Sequence, residues 1–260
     1  MCIRYSKSKG TIITQMRTLG SSVDWSRERF TLDQNLSRAV RRVFVALYKE
    51  GLIYRGKYIV NWCSRCRTAL SDLEVVHRNT TGKLYYIQYR YVGRDGAVTE
   101  ATTRPETMLG DVAVAVHPDD ERYRSEVGSV LRLPLLDREL PIIADAVVDQ
   151  EFGTGAVKVT PAHDPNDFAI GQRHDLPQVS VINEDGRMTD TTGPFTGLKV
   201  LEARGAVLDR LEREGALIEV KDHEHAVGHC QRCSTVVEPL VSTQWFVPGS
   251  YTHLTLPTKA

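Results

Sequence analysis

The stretch Gly153-Thr154-Gly155-Ala156-Val157-Lys158-Val159-Thr160-Pro161-Ala162-His163-Asp164-Pro165-Asn166-Asp167-Phe168 decides how the fold is read. Gly153 and Gly155 supply a tight turn, residues 156–160 alternate as a short strand, and Pro161, lacking an amide to donate, stops it. Lys158 and Thr160 therefore share one face. Beyond the stop, Asp164 reads as a helix N-cap, Pro165 as the first helical residue and Asp167 as an acid of the first turn. From these residues alone the two carboxylates serve a helix start, which is the commoner use of such a pattern.

Outward from this segment the texture is one of short strands. The pattern predicts them at 84–92, 98–103, 112–116, 142–148, 156–160 and 178–182, separated by turn signals such as Gly93-Arg94-Asp95-Gly96 and Glu184-Asp185-Gly186. A helix is expected over 198–214, where Leu201, Val207, Leu208 and Leu211 form a stripe ended by Gly215. Another is expected over 31–51, with Leu36, Val40, Val43, Phe44 and Leu47 at helical spacing and Gly51 closing it. Its opposite face carries Arg38, Arg41 and Arg42, read as a solvated basic face. Many short strands with few helices predict an α+β fold with a barrel-like sheet.

The chain of 260 residues is long enough for one large or two small domains with a proper core. Its 33 basic and 33 acidic side chains cancel, so any nucleic-acid contact must be local rather than driven by overall charge. No apolar run reaches membrane-spanning length and no signal region opens the chain, so the expectation is a cytoplasmic protein without membrane contact.

Five cysteines are too few for a disulfide scaffold, and four of them fall in two C-x-x-C pairs, Cys63/Cys66 and Cys230/Cys233. Each pair places two sulfurs on one turn, and two such turns complete a four-sulfur tetrahedral zinc site. A redox dithiol needs only one pair, and core cysteines have no reason to repeat the spacing. With four protein ligands the ion is structural, and it would clamp the two ends of everything between Cys66 and Cys230.

Thr102-Thr103-Arg104-Pro105-Glu106-Thr107, taken with the Gly153–Phe168 stretch, resembles the hydrolytic editing domain inserted into the valyl-tRNA synthetases, a family of class I aminoacyl-tRNA synthetases. Asp24-Trp25-Ser26-Arg27-Glu28-Arg29, the segment from Asn61-Trp62-Cys63 to Val75 and the segment from His229-Cys230 to Phe246 agree in the same order. The resemblance covers roughly residues 11–247, a span judged by pattern. It implies a β-barrel-like editing domain inserted into a zinc-clamped stem of the class I catalytic domain. The implied boundaries are an unmatched leader at 1–10, a stem at 11–75, the editing domain at 76–224, a return segment at 225–247 and a non-native tail at 248–260. Cys2 lies in the leader.

The implied activity is hydrolysis of threonine misattached to the acceptor end of tRNA(Val), by a chain acting as a monomer. The hydrophobic synthetic pocket of that family is known to reject threonine only about a hundredfold, so a second, polar sieve is required. The resemblance gives Asp167 the ammonium of the misattached amino acid and Asp164 a neighbouring polar role. Thr107, Thr160 and Lys158 would bind the threonyl hydroxyl. Thr103 and Arg104 lie where the family binds the terminal adenosine and orients the attacked carbonyl. Each has a plainer use: Thr103 could cap a helix near Pro105, Arg104 could be a surface cation and Lys158 a solvated strand residue. His163 is the nearby imidazole, and beside a proline-bounded turn it reads as structural rather than as a general base.

The family's synthetic site uses a His-x-Gly-His motif and a Lys-Met-Ser-Lys-Ser loop, and neither occurs here. His225-Ala226-Val227-Gly228-His229 has one residue too many, and Ser6-Lys7-Ser8-Lys9 falls in the leader. ATP would thus be a cofactor only of a longer parent. The rival readings are an isoleucyl or leucyl relative and a non-catalytic zinc-stapled RNA-binding module. The intact residues 161–167 and the Trp62-Cys63 context favour the valyl family, and acids in place of stacking aromatics speak against the module.

Overall fold

The computed structural model describes residues 3–247, with side chains from Gly10 onward, in two compact units. Met1, Cys2 and the tail expected at 248–260 lie outside the described residues. The first unit holds the chain up to Tyr54 together with Phe246 and Val247, and the second is Arg55–Trp245.

In the first unit, helix α1 spans Ile3–Thr18, so the backbone of the stretch read as a leader is helical from Ile3. Asp24 then caps a 3-10 turn, Trp25–Arg27, accepting from the Ser26 amide at 2.9 Å and pairing with Arg27 at 2.7 Å. Helix α2, Gln34–Lys49, occupies the expected place. It ends in a Schellman turn: Gly51 takes φ 73°, its amide bonds to the Tyr48 carbonyl and the Leu52 amide to that of Leu47.

The second unit is a mixed α+β structure with ten strands beginning at its edge. They are β1 Tyr54–Cys63, β2 Thr68–Leu70, β3 Val75–Tyr91, β4 Ala97–Thr102, β5 Ala113–Val116, β6 Val130–Leu133, β7 Arg138–Ala144, β8 Ala156–Val159, β9 Leu217–Cys230 and β10 Glu238–Phe246. Helices α3, Pro165–Arg173, and α4, Val200–Arg213, complete it. A small sheet runs β10-β1-β2, and a larger one runs β4-β3-β6-β7-β5-β8 with β9 on β3. The two ends of that larger path, β4 and β8, lie beside each other, so the sheet is nearly a closed barrel.

Strand β5, Ala113-Val114-Ala115-Val116, is buried on both faces. Val114 and Val116 join the main core with Leu131, Leu140, Ile142 and the α4 residues Val207 and Leu211. Ala113 and Ala115 face a second core with Val159 and Ile170 of α3. Small residues there let α3 lie close to the sheet, which sets the position of the acids at its start.

Three expectations need correction. Residues 178–182 form no strand and carry one isolated bridge, Ile182 to Met188, because the Val181 and Ile182 amides donate to the His163 ring instead. The strand expected at 142–148 is β7, displaced toward the N-terminus. It stops before Asp145, whose side chain accepts from the Val147 amide at 3.0 Å in an Asx turn. Strands β2, β6, β9, β10 and the first half of β3 were not anticipated. Most of the β3/β9 ribbon is exposed and rich in charge and histidine, so it lacks the one-sided apolar alternation that marks a half-buried strand.

The turn before β8 requires its glycine at 155. Its φ is 77°, and an added Cβ would lie 3.0 Å from the Gln150 carbonyl oxygen and 2.3 Å from an Arg122 nitrogen. Gly155→Ala should therefore cost about 2 kcal/mol, seen as a fall in Tm of about 4–8 °C in a thermal melt followed by circular dichroism. An unchanged Tm would show that this turn relaxes freely.

Candidate functional site

The strand-stop-helix segment builds the floor of a cavity of about 370 Å³ in the second unit. Where β8 ends, the Thr160 amide turns away from the ladder and donates to Asp167 Oδ2 at 2.8 Å. Asp164 caps α3, its Oδ1 accepting from the amides of Asn166 at 2.8 Å and Asp167 at 3.2 Å. The helix-start reading fits both acids, Asp164 as N-cap and Asp167 in the first turn, and Asp167 in addition reaches back to the strand end and is buried. Burial first, then the nearby Asp164, lifts the Asp167 carboxyl to about 7.

All seven side chains selected from the sequence for substrate chemistry, Thr103, Arg104, Thr107, Lys158, Thr160, Asp164 and Asp167, line this one cavity. Lys158 is not a solvated strand residue. It is 8 % exposed, and its Nζ lies 2.5 Å from Thr160 Oγ1 and 3.5 Å from Asp111 Oδ1. Burial alone would lower its ammonium, but Asp111, Asp167, Glu100 and Asp164 together outweigh that and raise it.

Arg104 is likewise not a free surface cation. It pairs with Glu238, donates to the His163 carbonyl at 3.2 Å and sits 3.6 Å from Glu106, which Arg204 grips with two bonds of 2.8 Å. Arg104, not Thr103, is the N-cap residue of the 3-10 helix Pro105–Gly110, and its amide is taken by the Thr102 hydroxyl at 3.1 Å. Thr107 directs its hydroxyl proton to the Arg104 carbonyl at 2.9 Å, leaving only acceptor capacity for a ligand.

His163 is 1 % exposed and held on both ring nitrogens. Nε2 accepts from the Val181 amide at 2.8 Å, so the proton sits on Nδ1, 3.2 Å from the Pro239 carbonyl. Burial, helped by Arg104, pushes it down to about 3. A neutral imidazole with both nitrogens engaged has no capacity for base chemistry, and the structural reading of this residue stands.

Several residues of the site were missed in the sequence. Asp111 accepts from Thr160 Oγ1 at 2.6 Å and from the Tyr89 hydroxyl at 2.8 Å. Glu100 is wholly buried, neither of its oxygens has a hydrogen-bond partner, and burial raises it well above the usual carboxylate range. A period-two signal could have exposed Glu100, since Val98, Glu100 and Thr102 all face inward on β4. Asp111 follows the 3-10 helix and carries no such signal. Glu238, the partner of Arg104, is 134 positions away in the chain (238 − 104).

At the base of the β3/β9 ribbon the four paired cysteines converge, with all four sulfurs within 4.8 Å of one another. The two turns share a geometry. In each, the amide four residues after the first cysteine bonds to its carbonyl, Arg67 to Cys63 at 2.7 Å and Ser234 to Cys230 at 2.8 Å. Both of those residues adopt positive φ, 53° and 58°. A tetrahedral ion with bonds of about 2.3 Å needs sulfurs about 3.8 Å apart, so the cluster fits a metal ion. Crowding sets the thiols against each other: hydrogen bonding to Cys233 and Cys63 pushes Cys66 up to about 12, while Thr235 holds Cys233 down to about 6. A divalent cation would relieve that opposition.

The sequence model described as tRNA synthetases class I (I, L, M and V) matches residues 2–254. The chain is 57 % identical over 242 residues to the valine–tRNA ligase of Thermotoga maritima, covering 93 % of this chain and 28 % of that protein. It is 55 % identical over 238 residues to the valine–tRNA ligase of Geobacillus kaustophilus, covering 92 % and 27 %. A leucine counterpart, in the LeuRS-tRNA-LeuAMS complex of Agrobacterium radiobacter K84, aligns at 18 % identity with a TM-score of 0.42, over 90 % of this chain and 40 % of that one. The chain thus spans little more than a quarter of the length of the curated relatives it matches.

The state of His163 is directly observable. In a sample labelled at histidine, its ring signals should stay those of the neutral Nδ1–H form from pH 8 down to pH 5. A midpoint near the usual value of about 6.5 would refute the buried, doubly bonded placement.

Proposed function

The chain belongs to the class I tRNA synthetases of the isoleucine, leucine, methionine and valine group, and from that premise we propose that its barrel-like unit hydrolyses threonine from mischarged tRNA(Val). The observation that carries this reading is the buried Asp167 carboxyl facing the cavity beside the Lys158–Thr160 pair. The larger protein to which such a chain would belong joins valine to its tRNA with ATP.

In this reading Asp167 anchors the ammonium of the aminoacyl ester. Its carboxyl near 7 is about half protonated in the free site at neutral pH, and the arriving cation drives the proton off and forms a charge-assisted bond in a desolvated place. Lys158 and Thr160 bind the threonyl hydroxyl, which valine replaces by a methyl group. Arg104, held by Glu238 and Glu106, and Thr103 lie at the cavity wall where the tRNA terminus would enter. In this reading the attacking group is a water positioned over the ester carbonyl.

We further propose that Cys63, Cys66, Cys230 and Cys233 hold one structural zinc ion. When bound, it supplies a cross-link between the two turns and no catalytic chemistry, since four sulfurs fill its coordination. The matched backbone of the two turns supports this assignment.

Asp167→Asn keeps the size and the acceptor for the Thr160 amide but removes the charge. Hydrolysis of Thr-tRNA should fall by about tenfold to over a hundredfold, as expected for loss of a charged hydrogen bond of roughly 1.5–3 kcal/mol. In the parent chain kcat/KM should fall as pH drops below about 7, where Asp167 takes up its proton. Because its folded value lies above that of the unfolded chain, the stability contributed by neutral Asp167 is present at low pH and lost as pH rises through about 7. The Asn variant should therefore have a Tm at pH 8 no lower than the parent. Normal deacylation by a folded Asp167→Asn chain would sink the anchor role.

For the cysteine cluster, elemental analysis of the reduced, folded chain should give one zinc per chain, and a strong chelator should lower its Tm. A metal-free sample with the same Tm would overturn the assignment.

A further inference from the structure

Resting on the reading of the cavity as a site for the aminoacylated end of tRNA, we propose that Glu238 is a positioning residue: reaching in from the strand that returns from the cysteine turns, it holds the Arg104 guanidinium in the orientation that offers its free N–H groups to the tRNA terminus. Strand β10 begins at Glu238, and the backbone is fixed on both sides of it. Val237 packs with Cys63, Leu70 and Cys230, and its amide donates to the Gly228 carbonyl at 2.9 Å. The Pro239 carbonyl accepts from His163 Nδ1 at 3.2 Å. Glu238 thus stands between the cysteine core and a residue that lines the cavity, and it is 7 % exposed.

Two arginines and two glutamates meet here, and the bonds show how they pair. Arg204 takes both oxygens of Glu106 at 2.8 Å, so the charge of Glu106 is already answered. Glu238 is left to answer Arg104, which it meets through Oε2 and Nη2. The other terminal nitrogen, Nη1, donates to the His163 carbonyl at 3.2 Å, and Nε sits 3.6 Å from Glu106. A planar fork held on three sides does not turn. One N–H remains on each terminal nitrogen, and the side chain is 27 % exposed where it lines the cavity, so two donors on one flat group stay available to oxygens of the tRNA end. Without the Glu238 charge, Arg104 would be drawn toward Asp164 and Asp167, which line the same cavity, and would compete there with the ammonium of the substrate. Glu238 itself does not line the cavity and acts through Arg104.

The test is a double-mutant cycle on hydrolysis of Thr-tRNA, using the parent chain, Glu238→Gln, Arg104→Gln and the two together. Glutamine keeps the shape of Glu238 and one oxygen acceptor but removes the charge. In the parent background Glu238→Gln should lower kcat/KM by about tenfold or more. In the Arg104→Gln background, where nothing is left to hold, the same change should cost less than about twofold. A purely structural role would lower both backgrounds by the same factor, and that result would overturn the proposal.

A second measurement does not depend on activity. In a sample labelled with 15N at arginine, the Arg104 signals, identified by their absence from Arg104→Gln, should show separate terminal N–H resonances in the parent, the mark of a guanidinium that does not turn. In Glu238→Gln they should merge, while those of Arg204, held by Glu106, stay as they were and the His163 ring keeps its neutral Nδ1–H form. Unchanged Arg104 signals in that variant would overturn the proposal. If Glu238→Gln does not fold, Glu238→Asp, which keeps the charge but withdraws it by one carbon, is read by the same two measurements. If the parent does not hydrolyse the ester, the reading of the cavity fails, and the arginine signals still decide whether Glu238 holds Arg104.

Discussion

Burying the Lys158 ammonium is the constraint on which the cavity depends. A lone cation removed from water costs several kcal/mol and would shed its proton, yet this one is pushed upward by the acids around it. Four carboxyls near one cation cannot all be ionised. Glu100, wholly buried and without a hydrogen-bond partner, is raised well above the usual carboxylate range. Burial raises Asp111 as well, and the bonds it receives from Tyr89, Thr160 and Lys158 oppose that rise. Asp167, near 7, is the member whose charge is left to the occupant of the site.

Backbone geometry brings these groups together. Pro161 ends β8 and releases the Thr160 amide, and α3 then returns so closely that a Cβ on Gly171 would stand 2.8 Å from Pro161. That approach is possible because β5 presents Ala113 and Ala115 to the helix side and its valines to the other core. The first turn of α3 is thereby fixed over the strand end, and Asp167 can span from helix to strand. A larger residue at either alanine would move the anchor before it touched the cavity.

How much of this was legible follows from the range of the interactions. The turn, strand, stop and cap between Gly153 and Asp167 are local and were read correctly, as was α2 from its apolar spacing and Gly51. The convergence of the seven cavity residues came from resemblance, not from spacing. Asp111 and Glu238 went unseen because their significance lies in partners far away in the chain, whereas Glu100 carried a mark, the alternation of β4, that was not read. His163 was weighed correctly, but not its hold on residues 181 and 182, which removed the strand expected there. The cysteine pairs were visible because four ligands repeat a spacing, whereas the exposed β3/β9 ribbon that joins them to the barrel has no apolar period to betray it.

The ribbon has a consequence for how such a unit can be gained or lost. Val75 lies opposite Cys230, and pairing continues without interruption from there to Tyr86 opposite Glu219. The 154 residues between Val75 and Cys230 (230 − 75 − 1) thus leave and re-enter the chain at neighbouring positions, about 5 Å apart as in any antiparallel pair. Cutting across the ribbon and rejoining the strands with a two-residue hairpin would spare the cysteine turns and remove the whole cavity at once. The barrel is in this sense a detachable excursion, and the place at which it could be transplanted into another chain is written in the register of two strands.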